Sequence, residues 1–338
     1  MNVPAPLPLN YLAIDFAAMN PEVSVLMTVY NGMPYLEMSV NSVLNQSLQD
    51  FNFVIVDDGS SDETANYLRQ LDDTRITVIR QDNGGTAAAA NHGLEHISTP
   101  FVARMDADDI AMPQRLEKQL GFMKANPDVG LVGTQVAPVG DAGVGKSLRL
   151  PQSHEQIYST MIDGRHGLAH SSIMIRTSVL KSLGGYWSFP LIDDWDMMLR
   201  VGEVSKLANI PEVLLNYRVH SGSLNGQSML RMHRHIGYAI ERANRRASNT
   251  EQISFEEFES LMASRPAWQK WAEKLHVYAL AQYRVALADI HGGKKLGGFA
   301  RLGWSAICSP SRTIHRIGRI LRSPAEAKPS KSTIVVES

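Results

Sequence analysis

Between residues 23 and 136, short apolar runs alternate with segments whose apolar residues recur at helical spacing. Val23-Ser24-Val25-Leu26-Met27-Thr28-Val29 is a mostly apolar run of strand length, the pattern of a strand covered on both faces. Tyr30-Asn31-Gly32-Met33-Pro34 breaks it, after which Leu36, Val40, Val43 and Leu44 predict a helix over 35–46. Residues 51–56 predict a second buried strand, ended by Asp57-Asp58-Gly59-Ser60. A polar helix over 62–71 and a third strand over 76–79 follow. Asn83-Gly84-Gly85 opens an alanine-rich helix through His92 and Leu94, and residues 101–105 form the fourth strand. Pro113 suits the first turn of a helix over 114–124, and 129–136 is a further strand. This alternation predicts a mostly parallel sheet flanked by helices, with right-handed crossovers.

From about 137 to 222 the pattern loosens. Residues 140–145 read as a flexible loop, 172–175 as a strand preceded by His170, and Asp193-Asp194-Trp195-Asp196 as a helix start. Residues 213–219 predict another strand, closed by His220-Ser221-Gly222. Beyond 226 the pattern is helical throughout, over 229–248, 254–263, 268–290 and 295–307. The expected organisation is an irregular leader (1–20), an α/β domain (21–225), a helical region (226–322) and a disordered tail (323–338). Trp268, Trp271, Tyr278 and Tyr283 are expected to pack between helices.

Composition narrows this picture. The 338 residues are 44% apolar and 20% charged, enough for a sizeable core, and the net charge of −1 gives no case for nucleic-acid binding. Cys308 is the only cysteine, so there is no disulfide within the chain and no basis for a cysteine zinc site. The proline-rich start lacks the basic flank of a signal peptide, and no apolar run approaches the ~18 residues of a membrane span. A cytoplasmic protein, or one peripheral on the cytoplasmic face of a membrane, is expected.

The chemistry gathers at strand ends. In open α/β sheets ligands bind beyond the carboxyl ends of the strands, where Thr28-Val29-Tyr30-Asn31, Asp57-Asp58-Gly59-Ser60 and Asp106-Ala107-Asp108-Asp109 all fall. Three carboxylates in four residues repel one another unless a cation lies between them. Mg²⁺ or Mn²⁺, shared with substrate phosphates, would serve. The alternative is an acidic turn capping the next helix.

In the order and spacing of these pieces the chain resembles family 2 glycosyltransferases of the GT-A fold. The matching pieces are 23–31 with Tyr35, 54–60, 83–93, 104–109 with Pro113, 193–200, and Tyr217-Arg218-Val219-His220, covering roughly 22–222. The resemblance implies a GT-A type mixed, mostly parallel sheet with an α-helical C-terminal extension. It also implies transfer of a hexosyl or N-acetylhexosaminyl group from a nucleotide diphosphate sugar to an acceptor hydroxyl, with inversion. It points to Thr28, Tyr30 and Asp58 for the nucleotide, with UDP the first choice, and to Asp108 as metal ligand. Asp106 then contacts the ribose, or the metal through water, and Asp109 caps the following helix. His220 completes the metal or diphosphate site. Asp194 is the expected base, with Asp193 as rival, and Asp196 caps or braces its helix. Trp195 either forms an acceptor platform or fills the core, His170 lies near the diphosphate and acceptor, and Arg104 counters the acidic cluster or reaches the donor. Asn91 is read as bracing the sheet.

Residues 294–322 carry seven Lys/Arg and no acidic residue, interleaved with Leu296, Phe299, Leu302, Trp304 and Ile307. Such a segment either lies on an anionic membrane surface or packs its apolar face on the catalytic domain. The expected acceptor is a glycan or lipid-linked glycan in surface polysaccharide or lipopolysaccharide assembly. Two other readings remain open: nucleotidyl or phosphosugar transfer, which the lack of a Gly-rich, Lys-containing phosphate loop disfavours, and a donor-binding scaffold without chemistry.

Overall fold

The computed structural model describes residues 21–140, 143–187, 193–218, 226–291 and 295–308. The expected leader and tail, residues 309–322 and His220 lie outside the described residues. In chain order the first half comprises β1 (Val23–Val29), α1 (Leu36–Leu44), β2 (Asn52–Asp58), α2 (Thr64–Arg69), β3 (Ile76–Gln81) and α3 (Thr86–Glu95). β4 (Phe101–Asp106), β5 (Ile110–Ala111), α4 (Arg115–Ala125), β6 (Val129–Gly140) and β7 (Gly143–Val144) follow. Then come α5 (His154–Ile162), β8 (Met174–Arg176), α6 (Thr177–Ser182), α7 (Asp193–Val204) and β9 (Lys206–Arg218). The helices α8 (Gly226–Ala247), α9 (Phe255–Ala263), α10 (Ala267–His291) and α11 (Lys295–Cys308) complete the chain.

The strands form one mixed sheet in the order β3-β2-β1-β4-β8-β6-β9-β5, with β7 paired to β6. β1 runs parallel to β2 and β4, so Thr28 lies level with Val56 on one side and Asp106 on the other. β8 is antiparallel to both β4 and β6. It therefore joins the parallel half to the β6–β9 pair, which is parallel again.

The near-continuous apolar runs of β1, β2 and β4 are buried on both faces, as their composition demands. One face packs Val25, Met27, Phe53, Ile55, Ala103 and Met105 with Leu36, Val40 and Val43 of α1 and Leu116, Leu120 and Met123 of α4. On the other face the alanines of α3 let that helix approach closely. At Gly93 an added Cβ would sit 2.4 Å from Leu26 Cδ1 and 2.9 Å from Val56 Cγ2.

Several expectations fail for identifiable reasons. Instead of a flexible loop, Gly140 ends β6 and pairs with Gly143 of β7, because the β6 ladder extends well past Val136. The strand expected at 172–175 is Met174–Arg176, and His170–Ser172 form a 3-10 turn before it. β9 begins seven residues before the predicted strand. Pro211 and Glu212 interrupt its apolar pattern, yet the ladder resumes beyond them, with Ile210 opposite Thr134 and Val213 opposite Gln135. Proline cannot donate to a ladder and is accommodated in such a bulge. Helix α5, unpredicted, is opened by a Ser153 side chain that accepts from the Gln156 amide.

The chain forms two compact units. One runs to residue 219 and includes 235–252; the other comprises 220–234 and 253–338. In the second unit Trp268, Trp271 and Tyr278 do not pack between helices as expected but stand exposed. Among the described residues no helix is long and apolar enough to cross a membrane.

Replacing Gly93 with valine forces α3 off the sheet. We expect a loss of about 2–3 kcal/mol, the usual cost of overpacking a full core, read as a lower urea midpoint with unchanged m-value.

Candidate active site

The site grows from the register of β1 and β4. Arg104 lies two residues before Asp106, so the alternation of the strand brings both side chains to one face. The Arg104 side chain is wholly buried. Its Nη1 donates to the Leu26 carbonyl at 3.0 Å, and its Nη2 approaches Thr28 Oγ1 at 3.3 Å and Asp106 Oδ1 at 3.4 Å. Its guanidinium lies 5.9 Å from the centre of the Tyr186 ring. A second buried cation, Arg115, donates to the Arg104 carbonyl at 2.6 Å; burial lowers its pKa to about 10, so it stays charged at neutral pH.

Against these cations stands an acidic rim. The Asp106 side chain keeps 41% of its surface, yet desolvation by the surrounding protein raises its pKa, reinforced by Asp108 and opposed by Arg104. Asp109 turns inward. It accepts from the Ser171 hydroxyl and, at 2.8 Å, from the Arg218 amide; burial and its acidic neighbours push it up to about 8. It is thus no helix cap, since α4 is preceded by Gln114 without a side-chain cap. Asp109 instead ties the end of β9 to the acidic loop. Arg218 strengthens the tie through its Nε, which donates to the Asp108 carbonyl at 2.9 Å, and its guanidinium stacks 4.3 Å from the Tyr35 ring.

At the end of β2, Asp57 receives the Ser60 amide at 2.9 Å and pairs with Arg80 at 2.6 Å. Asp58 Oδ1 accepts from Gln81 Nε2 and the Gly84 amide, both at 2.8 Å, and Oδ2 accepts from the Gly85 amide at 2.9 Å. Asp58 thereby shapes the Gly84-Gly85 turn, and Oδ2 retains a lone pair for a further donor. Asn31, with φ 52°, receives the Ser61 amide at 2.8 Å and pins the loop after β1 to the loop after β2. Tyr30 is exposed beside it.

The start of α7 supplies the other carboxylates. Asp193 is buried, with no partner for Oδ2 among the described residues; burial raises it to about 6, Arg104 opposing. Asp194 is half-buried and accepts the Trp195 amide at 2.7 Å. Burial first, then Asp193, push it up to about 7, and Asp106 contributes in the same direction. Trp195 is buried, edge-on to His166 at 5.2 Å, which favours its core-filling role. Asp196 braces its helix by pairing with Arg200 at 2.6 Å, and Arg200 in turn holds the Leu183 and Gly185 carbonyls.

Sequence reasoning missed Tyr186. Its hydroxyl lies 3.3 Å from His170 Nε2, and burial together with Arg104 holds that imidazole well below its usual pKa. Asn91 braces this segment rather than a strand, exchanging two hydrogen bonds with the Tyr186 backbone at 2.6 and 2.8 Å. Gly185 permits the approach: its φ is +71°, and a Cβ would lie 2.4 Å from Asn91 Oδ1. The Gly184-Gly185 pair was the only signal of this turn in the sequence.

Among the described residues no three His, Cys, Asp or Glu side chains form a metal cage. The donor set at Asp106 and Asp108 nevertheless fits a hard divalent ion, since it offers crowded carboxylate oxygens. Mg²⁺ commonly takes only one or two carboxylates, with substrate phosphates and water completing its shell.

A mixed sheet with an acidic loop ending its fourth strand and a second acidic cluster opening α7 is the arrangement of a GT-A type glycosyltransferase. Residues 24–184 match the family described as glycosyl transferase family 2. The O-antigen biosynthesis glycosyltransferase WbnJ of Escherichia coli is 30% identical over 69% of this chain and 92% of its own length. The amylovoran biosynthesis glycosyltransferase AmsE of Erwinia amylovora is 32% identical over 60% and 78%. The chain belongs to glycosyl transferase family 2 and is a glycosyltransferase. In fold it resembles S. aureus TarS in complex with UDP-GlcNAc (TM-score 0.52, 16% identity, 90% of this chain and 93% of that one). It likewise resembles the mannosyltransferase PcManGT of Pyrobaculum calidifontis in complex with GDP-Man and Mn²⁺ (TM-score 0.51, 18% identity, 89% and 80%).

Asp196→Ala leaves the buried Arg200 guanidinium with the Leu183 and Gly185 carbonyls but without its counter-charge. We expect a loss of about 3–5 kcal/mol, typical of breaking a buried pair, measured by urea denaturation; a change below about 1 kcal/mol would mean the pair braces nothing.

Proposed function

We propose that this enzyme moves a sugar from a nucleotide diphosphate donor, UDP-linked by first choice, to an acceptor hydroxyl with inversion, in the assembly of a surface polysaccharide or lipopolysaccharide. The observation that supports it most is the acidic loop at the strand ends: β1 and β4 set Thr28 level with Asp106, the buried Arg104 guanidinium reaches both, and Asp108 follows in the same loop. The printed names of WbnJ and AmsE support the polysaccharide setting, and the nucleotide sugars in the TarS and PcManGT complexes support the donor class.

Asp194 accepts the proton of the acceptor hydroxyl as its oxygen attacks the anomeric carbon. A single base suffices, because the diphosphate leaves without needing a proton from a second carboxyl. Burial holds Asp194 high, and the charge of neighbouring Asp193 adds to it. Thr28, Tyr30 and Asp58 line the nucleotide side at the ends of β1 and β2, Tyr30 offering its exposed ring to the base. Arg104 holds Asp106 and Thr28 in place from beneath. His170, kept neutral, stands with Tyr186 on the side of the diphosphate and acceptor. Asp106 and Asp108, with His220 as the expected third ligand, would hold Mg²⁺ or Mn²⁺. Such an ion, when bound, neutralises the diphosphate and stabilises charge on the leaving group. A lipid-linked glycan acceptor, with the enzyme peripheral on the cytoplasmic face of an anionic membrane, completes the reading.

Asp194→Asn should lower kcat about 10²- to 10⁴-fold, the range of general-base catalysis, with donor affinity held within a few-fold; near-normal turnover would reassign the base to Asp193. Because Asp194 works only when ionised, kcat/KM should be full above pH about 7 and fall with unit slope as pH drops below it. In Asp194→Asn this limb should vanish. A nucleotide-sugar panel scored by thermal shift with and without Mn²⁺ tests the donor, since ligand binding raises apparent stability by mass action. A UDP-sugar should raise Tm in a Mn²⁺-dependent way that Asp108→Ala removes. No shift with any nucleotide sugar would refute the donor assignment, and release of pyrophosphate on turnover would indicate nucleotidyl transfer.

A further inference from the structure

Helices α10 and α11 meet along a seam rich in small residues and leave several large aromatic and aliphatic side chains exposed. Arg301 Nη1 donates to Gln282 Oε1 at 2.9 Å, and the buried Ser305 hydroxyl donates to the Ala279 carbonyl at 2.7 Å. As sequence number rises along one helix it falls along the other, so the two run antiparallel. Among the described residues those buried here are mostly small: Ala279 and Ala286, with Val277, on α10, and Gly298 and Ser305 on α11. Several of the largest apolar side chains face outward, while Leu280, Tyr283 and Leu302 are half-buried. On α10 the outward ones are Trp268 (70% exposed), Trp271 (67%), Leu275 and Tyr278. Their spacing of three, four and three residues keeps them on one stripe, within an arc of roughly 80° at ~100° per residue. On α11, Leu296 (92% exposed), Phe299, Trp304 and Ile307 (71%) are likewise exposed.

A protein surrounded only by water gains nothing from burying alanine, glycine and serine while exposing three tryptophans, a phenylalanine and a tyrosine. Small residues at the helix contact and large apolar ones outside is the arrangement of helices whose surroundings are themselves apolar. The charges indicate which apolar surroundings. From 265 to 308 the sequence has seven Lys/Arg (265, 270, 274, 284, 294, 295 and 301) against Glu273 and Asp289. Glu273 is already paired with Arg234 at 3.4 Å. Residues 309–322 add Arg312, Arg316, Arg319 and Arg322 and no acid. Tryptophan and tyrosine beside lysine and arginine favour the headgroup boundary of an anionic bilayer, where the rings enter the acyl margin and the cations remain among phosphates. A second copy of this chain would bring the same positive charge against itself, which disfavours self-association through this face.

We propose that the α10–α11 hairpin is an interfacial membrane anchor. Its outward aromatic stripe inserts into the headgroup region of an anionic lipid surface, and Arg265, Lys274 and the following basic residues bind lipid phosphates. This rests on and deepens the peripheral membrane placement proposed above by naming the segment that meets the lipid, and it draws on none of the catalytic residues.

The test uses the full chain and no sugar substrate, so its failure is distinguishable from failure of the transferase reading. Flotation is measured with phosphatidylcholine vesicles, with and without phosphatidylglycerol. The intact protein should float with the anionic vesicles, less so at high salt, and its tryptophan emission should shift to the blue and be quenched by brominated lipid. The combined Trp268→Ser, Trp271→Ser variant should lose at least ~tenfold in vesicle affinity with its circular dichroism and Tm unchanged. Arg265→Glu with Lys274→Glu, which leaves the aromatic stripe intact, should lose the preference for anionic lipid. Absence of flotation by the intact chain overturns the proposal. So does vesicle binding that both variants retain, or a concentration-dependent dimer abolished by the tryptophan substitutions in a protein that ignores vesicles.

Discussion

A guanidinium sealed beneath a ring of carboxylates is the constraint on which the site depends. Arg104 is buried at the centre of the sheet and is held by a backbone carbonyl, a threonine hydroxyl and a carboxylate at the long end of hydrogen-bonding distance. Burying an ion costs several kcal/mol that only well-placed partners offset. The partners here are loose on the cleft side, with Nε unpaired among the described residues. Arg104 thus retains a field that reaches Asp106, Asp193, Tyr186 and His170 together. It stabilises the charged form of the carboxylates and the neutral form of the imidazole, which sets different protonation tendencies for groups sharing one cleft.

The remaining scaffold keeps those groups in register. Three loops reach the rim from separate parts of the chain, and each is tied to another by a polar side chain. Asn31 links the loops after β1 and β2, Asp58 links β2 to the Gly84-Gly85 turn, and Asp109 links the acidic loop to β9. Asn91 and the Asp196–Arg200 pair do the same for the 183–186 segment, which carries Tyr186. Apart from the Arg200 guanidinium, each tie uses short side chains or backbone amides, whose ordering costs less entropy than long ion pairs across a surface. A cleft built from such ties arrives largely preorganised, the condition under which fixed charges act most strongly on a reacting group.

The helical unit follows a different logic from the catalytic one. In the sheet, large apolar residues are buried and polar ones line the rim. In α10 and α11 the buried residues are mostly small, and several of the largest apolar ones are exposed. The same physical preference explains both, if the first is solvated by water and the second by lipid.

How much of this was legible beforehand depended on the range of the interactions. Local periodicity located β1 to β4 and the helices between them, because strands buried on both faces and alanine-rich helices leave a signature within a dozen residues. Acidic side chains at the ends of those strands could be named from the chain alone, since the topology of a parallel sheet obliges its carboxyl ends to meet. What neighbouring residues could not reveal was decided by packing between distant segments. The strand identity of 206–212 depended on a partner nearly eighty residues away, despite Pro211. Asp109 became a tie to Arg218 because burial left it no water to face, and Tyr186 entered the cleft only through its bonds to Asn91. The outward direction of Trp268 and Trp271 was equally hidden: periodicity shows that residues share a face, but only the position of the neighbouring helix shows which face is covered.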